Sequence, residues 1–358
     1  MSKGHRGGRR RVARLGDPRI LIGLVITAVT LWYALQGVSF GTLARDIARA
    51  NLAILLIPSI PAYLATLYIR ALRWRHLTLA VARLDRGPVF RATSVGFMVN
   101  NLFPLRLGEV VRAWYLGRET GVSSAAIFAT VIVERLIDAA VVLSLAALVL
   151  GSRGAAATGL DLRAVLPPLA ALVAVPVVFI VALRVAPDQT VALGTRLSGP
   201  VLPQRWNQRL EQLLRQFAEG MGGLRGRHSI MWVTIHTATL WLVISIIPFY
   251  AALVALGIDL GGPIHTLTAS YNLLIWVGAA VALPSAPGFF GPYHAACWVA
   301  LQPLGVPKEA AVALGTLSHA VFWLTVTATG LVVLRFRHTR LEETLEAGGT
   351  SFKDPAPR

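Results

Sequence analysis

Six stretches of this chain are long, apolar and free of Asp, Glu, Lys and Arg: residues 20–44, 50–69, 164–183, 229–258, 260–307 and 310–334. A helix needs roughly 20 predominantly apolar residues to cross a bilayer, and only helices or closed barrels satisfy their backbone groups there. With 55% hydrophobic residues over 358 positions, these stretches predict an all-α polytopic membrane protein. About eight crossings are expected, accompanied by broken or re-entrant helices at residues 88–104 and 284–304.

The net charge of +17 does not point to nucleic acid, because the cations cluster beside apolar segments. Cytoplasmic loops carry such an excess, and anionic lipid headgroups at the cytoplasmic face are its natural partners. This places both termini in the cytoplasm and the chain in the cell inner (cytoplasmic) membrane. Residues 1–19 read as a basic tail, 20–337 as the transmembrane domain and 338–358 as a polar tail. The run 70–91 reads as an Arg-rich cytoplasmic loop. Within 203–228, Trp206, Leu210, Leu213, Leu214, Phe217, Met221 and Leu224 follow helical spacing, which suits an amphipathic helix in the headgroup layer or packed on the spans. Cys297 is the single cysteine, so no disulfide or Cys-based zinc site is expected. Nor do the histidines show metal-ligand spacing, and no cofactor is implied.

Two interruptions stand out. The first, in NNLFPLRLGEVVRAWYLGRETGVSSAAIFATVIVERLIDAA, breaks at Pro104 and Gly108 and carries Asn101, Arg106, Glu109 and Arg112. The helix after it carries Glu134, Arg135 and Asp138. Charges inside a span are costly and face partners or a polar site. Glu134 and Asp138 are four apart, hence on one helical face, and Arg135 is spaced to pair with Asp138. The second interruption is Pro284-Ser-Ala-Pro287-Gly288-Phe-Phe-Gly291-Pro292, followed by His294. Paired Gly/Pro breaks in the two halves point to a transporter site at the interface of inverted repeats. The alternative is an internal salt-bridge network that only ties helices together.

These residues resemble the membrane domain of lysylphosphatidylglycerol synthase, a flippase-like family. The first motif is matched by Asn101, Pro104, Arg106, Gly108, Glu109, Arg112, Glu134, Arg135 and Asp138, the second by Pro287-Gly288-Phe-Phe-Gly291. The chain departs from the family pattern at His294, where a Glu is usual, and at His319, where an Arg is usual. If the two touch, an ion pair has been replaced by two imidazoles. Only a short polar tail follows Arg340, too short for an aminoacyltransferase domain. The resemblance therefore implies a stand-alone flippase or transporter, not an enzyme, acting on a membrane phospholipid or lipid-linked substrate. Its substrate-binding residues would be Asn101, Arg106, Glu109, Arg112, Glu134, Arg135, Asp138, His294 and His319. Competing readings are an integral membrane lipid-phosphate or polyprenyl-lipid transferase and a non-transporting scaffold for envelope biogenesis.

Overall fold

The computed structural model describes residues 18–79, 81–153, 178, 181–183, 185–200, 203–204, 207–208, 211–212, 214–215, 218, 227–282 and 287–336. Within them the chain is helical. The basic N-terminal run, Pro284, the C-terminal tail and most of 164–183 and 203–228 lie outside the described residues. Four described helices are long and apolar enough to cross a membrane: Leu52–Thr78, His228–Ala255, Pro263–Val281 and Lys308–Phe336. Ile22–Leu35 and Phe40–Arg49, bent by 85°, raise the number to five if counted as one span. The expected eight crossings are therefore not reached among the described residues. One reason is that the 30-residue helix Ser124–Arg153 carries three charges in mid-course, and another is that the stretch 164–183 is scarcely described.

Helix α1 (Pro18–Leu35) ends at Gly37, and α2 (Phe40–Arg49) turns away with Ser39 as its N-cap. The loop expected around Arg45 and Asp46 is thus helical, with Phe40, Leu43 and Ile47 on one face and the charged residues on others. Helix α3 (Leu52–Thr78) is capped by Asn51, whose Oδ1 accepts from the backbone of Ala53 and Ile54, and it runs through Pro58 and Pro61. Its C-terminal part revises the loop expected at 70–91: Arg70 and Arg73 belong to the helix and are buried.

The first interruption is a helical hairpin. Helix α4 (Arg86–Leu102) rises to a 3-10 turn (Pro104–Arg106), and α5 (Gly108–Thr120) packs back along it. The expected element at 88–104 is only the first arm. The sequence hid the returning arm because Glu109, Arg112, Arg118 and Glu119 break its apolar run. A Cβ on Gly108 would lie 1.9 Å from the Gly96 carbonyl oxygen, so only glycine lets the arms approach this closely. Asn100 Oδ1 accepts from the Gly108 backbone N–H at 2.8 Å, satisfying a donor that the start of α5 would otherwise leave free.

Helix α6 (Ser124–Arg153) follows, then α7 (Pro187–Ser198). In the expected amphipathic stretch, Leu214 and Ala218 pack against the core of α3–α6. Helix α8 (Arg227–Ala238) passes through a π-helical stretch (Thr239–Ile244) into α9 (Ile247–Ala255). The second interruption is another hairpin: α10 (Pro263–Ala282), a tip at Pro287–Phe289, and α11 (Pro292–Leu301) packed back on α10. Helix α12 (Lys308–Phe336) completes the fold.

The bases of the two hairpins lie at opposite ends of α3. The first base is held near the α3 C-terminus, where Arg75 Nε donates to the Leu84 carbonyl at 2.8 Å. The second base follows α9, whose Ala255 carbonyl accepts from the Asn51 backbone N–H at the α3 N-terminus, 2.8 Å away. A 27-residue helix is roughly 40 Å long, yet the two tips pack against each other and against α4. The hairpins therefore enter from opposite ends and meet inside.

Helix α1 packs on both the Pro104–Arg106 turn and α11. At Gly291, with φ +89°, a Cβ would fall 2.6 Å from Thr30 Oγ1 and 2.7 Å from the Thr27 carbonyl oxygen, which brings the second break against the α1 backbone. Lys308 Nζ donates to the carbonyls of Tyr33 and Gln36, each at 2.8 Å, placing a cation at the C-terminal end of α1. Elsewhere Ile57, Val254, Leu324 and Leu331 point outward. That apolar exterior would be a liability in water and suits hydrocarbon.

Candidate functional site

The charged residues form one cluster where two apolar cores meet. Trp74 belongs to the core of α3–α6, and Trp241 to the core of α3 and α9–α12. Between them lies Arg73, 0% exposed, whose Nη2 reaches Glu134 Oε1 at 2.8 Å and whose Nη1 reaches Asp138 Oδ1 at 2.7 Å. Arg70 meets the other Asp138 oxygen at 3.1 Å. Arg135 meets both Glu134, at 3.2 Å, and Asp138, at 3.1 Å. Trp241 Nε1 donates to Asp138 Oδ1 at 2.9 Å, and Trp74 Nε1 to Thr130 Oγ1 at 2.9 Å. The helical spacing of Glu134 and Asp138 thus gives both carboxylates to one guanidinium on α3.

Arg112 enters from the returning arm. It is 2% exposed, with Nη2 2.8 Å from Glu134 Oε2 and its guanidinium 4.6 Å from the centre of the Trp74 ring. Its Nε and Nη1 make no hydrogen bond, and Glu109 Oε2 is likewise buried without one. Arg106 Nη2 pairs with Glu109 Oε1 at 3.1 Å, and Arg112 and Arg135 lie within electrostatic reach of the same carboxylate. Five guanidiniums, of Arg70, Arg73, Arg106, Arg112 and Arg135, therefore face three carboxylates, of Glu109, Glu134 and Asp138. The cluster is cationic. Buried ion pairs recover their desolvation cost only with well-placed partners, so a cationic surplus with unused donors is suited to an anion.

Sequence reasoning missed Arg70 and Arg73. Their spacing of three places them on one face of α3, but as cations beside an apolar segment they were counted as loop residues.

The tips carry matching backbone strain. Among the described residues the non-glycine positions with positive φ are Arg106, at +54°, and Phe289, at +60°, one in each tip. Side chains disfavour this region, and such strain clusters at functional sites. Asn101 Nδ2 donates to Thr327 Oγ1 at 3.2 Å, and Trp323 Nε1 to the Asn101 carbonyl at 3.2 Å. A Cβ on Gly288, with φ +73°, would stand 3.0 Å from the same Trp323 nitrogen. Trp323 therefore lies between the two breaks. Both His294 and His319 are buried, and their ring centres are 5.5 Å apart at an angle of 81°. They are separate from the arginine cluster in their contacts. Among the described residues no group of three or more His, Cys, Asp or Glu side chains is placed to hold a metal ion.

The profile of the family described as "Lysylphosphatidylglycerol synthase TM region" matches residues 20–330, which contain both hairpins and the charge cluster. The chain belongs to this family. It is 26% identical over 294 residues to a UPF0104 membrane protein of Methanothermobacter thermautotrophicus, a match covering 76% of this chain and 82% of that one. It is also 24% identical over 329 residues to a protein named Glycosyltransferase AglD of Haloferax volcanii, covering 84% of this chain and 52% of the other. This member of the lysylphosphatidylglycerol synthase TM region family thus spans about half of that second relative. No solved structure matches the chain.

Proposed function

We propose that the chain moves a phospholipid or lipid-linked headgroup across the cytoplasmic membrane, with the lipid phosphate held by the arginine cluster. The observation that carries this reading is Arg112: buried, paired through Nη2 with a carboxylate already served by Arg73 and Arg135, and with its Nε and Nη1 without a hydrogen-bond partner. Guanidinium donors match phosphate oxygens in bidentate geometry. Arg73 acts as the structural anchor between α3 and α6, and Arg112 as the ligand. Acyl chains remain in the bilayer beside the apolar exterior.

Two hairpins entering from opposite ends supply a route for alternating access. Their relation supports an inverted-repeat arrangement, in which one hairpin and then the other opens the site to its own side. The positive charge of the loops supports a cytoplasmic placement of both termini. The family membership and a relative named as a glycosyltransferase support a membrane lipid as the substrate class. That relative's name also favours a second reading, a transferase acting on a lipid-linked sugar. Reconstitution in liposomes separates the two: transbilayer movement of a fluorescent phospholipid supports transport, whereas a new lipid product without movement supports the transferase.

A further inference from the structure

Beside the second tip, aromatic rings crowd around two histidines. The Tyr293 ring stacks on His319 with centres 4.5 Å apart, and Phe290 approaches the same imidazole edge-on at 4.8 Å. Phe290 also stacks on His294 at 6.3 Å, and Phe322 on His319 at 6.4 Å. His294 is 7% exposed and His319 1%, whereas Phe290, at 49%, forms the open side. Nδ1 of His294 and Nε2 of His319 are buried without a hydrogen-bond partner. Polar atoms buried in folded proteins are paired in the great majority of cases, and an exception calls for a reason.

Among the described residues the neighbouring hydroxyls are engaged elsewhere. The Tyr293 hydroxyl is 3.2 Å from Ser318 Oγ, and the Tyr63 hydroxyl donates to the Ser318 carbonyl at 3.4 Å. Two unserved nitrogens thus lie on adjacent helices under one set of rings, with Phe290 on the open side.

The chemistry of a ligand there follows from what surrounds it. A neutral imidazole offers one donor and one acceptor, and aromatic faces offer apolar area. α11 contains no Asp or Glu, and the one carboxylate of α12, Glu309, lies ten residues before His319 and accepts from the Ser39 backbone N–H, so an ammonium group would find no carboxylate beside the two histidines. The cationic surplus across the tips would repel it further. An uncharged group rich in hydroxyls both donates and accepts, and its C–H face can lie on a ring.

We propose that His294 and His319 form a subsite for the uncharged polyhydroxyl part of the lipid headgroup, a glycerol or a hexose, attached to the phosphate held by the arginines. This rests on the phosphate reading of the arginine cluster.

The test uses the purified full chain in nanodiscs and competition among lipids with the same acyl chains. The probes are phosphatidylethanol, which has the phosphodiester without a free headgroup hydroxyl, phosphatidylglycerol, a phosphate-linked hexosyl lipid, and phosphatidylglycerol carrying a lysyl ester. The wild-type chain is expected to hold phosphatidylglycerol or the hexosyl lipid at least about tenfold more tightly than phosphatidylethanol. The tighter of the two identifies the glycerol or hexose form. His294→Phe and His319→Phe keep a ring but remove its nitrogens, and should bring that ratio toward one. Equal retention of phosphatidylethanol and both hydroxylated lipids by the wild-type chain, or strongest retention of the lysyl ester, overturns the subsite while leaving the phosphate reading intact. Failure to retain any of the four removes the phosphate reading and the subsite with it.

Discussion

Arg106, at the tip of the first hairpin, donates through Nη1 to the carbonyl of Val281 in the last turn of α10, 3.1 Å away. A cation at a helix C-terminus is favourable, and here it joins the two hairpins while its other arm pairs with Glu109. This gives Arg106 a tying role that the phosphate-ligand expectation did not include.

Arg106→Ala should remove that tie and lower stability in detergent by about 1.5–3 kcal/mol, the range for hydrogen bonds to charged groups. Because φ is +54° at this position, Arg106→Gly should be more stable than Arg106→Ala by about 1 kcal/mol. Chemical or thermal unfolding of the two variants measures the difference. An alanine variant as stable as wild type would show that the tips are held together elsewhere.

Within the charge cluster, Arg73→Ala should be far more damaging to folding than Arg112→Ala. Arg73 pairs with both Glu134 and Asp138 and is fully buried, so its loss breaks two buried ion pairs where loss of Arg112 breaks one, and breaking a buried pair costs about 3–5 kcal/mol. Loss of Arg112 leaves Glu134 with Arg73 and Arg135. Yield and melting temperature in detergent are the readouts, and equal losses would contradict this division of roles.

The hairpin bases predict accessibility. A single cysteine at Asp85 or Ser123 should react with a membrane-impermeant reagent from the cytoplasmic side, and one at Gly41 or Gly261 from the other side. Cys297 is fully buried and should contribute little background. Labelling of Asp85 and Gly261 from the same side would undo the opposed arrangement of the hairpins.

Legibility of the fold followed local pattern. Glu134, Arg135 and Asp138 could be read directly because charges in an apolar helix contradict their surroundings, and both Pro/Gly breaks could be located. Arg70 and Arg73 could not, because a cation at the end of a span has the same local pattern whether it sits in a loop or is buried. The returning arm α5 was obscured by its own charges, of which Glu109 pairs with the tip, Arg112 with α6 and Glu119 with α4. The meeting of the two tips and the approach of His294 to His319 depend on helices far apart in the chain, for which no local signal exists.

The most direct measurement is transbilayer movement of a fluorescent anionic phospholipid in proteoliposomes containing wild type, Arg112→Ala or Arg112→Lys, each verified as folded. The account predicts movement by the wild-type chain, a loss of at least about tenfold in Arg112→Ala, and poor rescue by lysine, which lacks the bidentate fork. Movement at the wild-type rate by folded Arg112→Ala, or none by wild type with this substrate class, would contradict it.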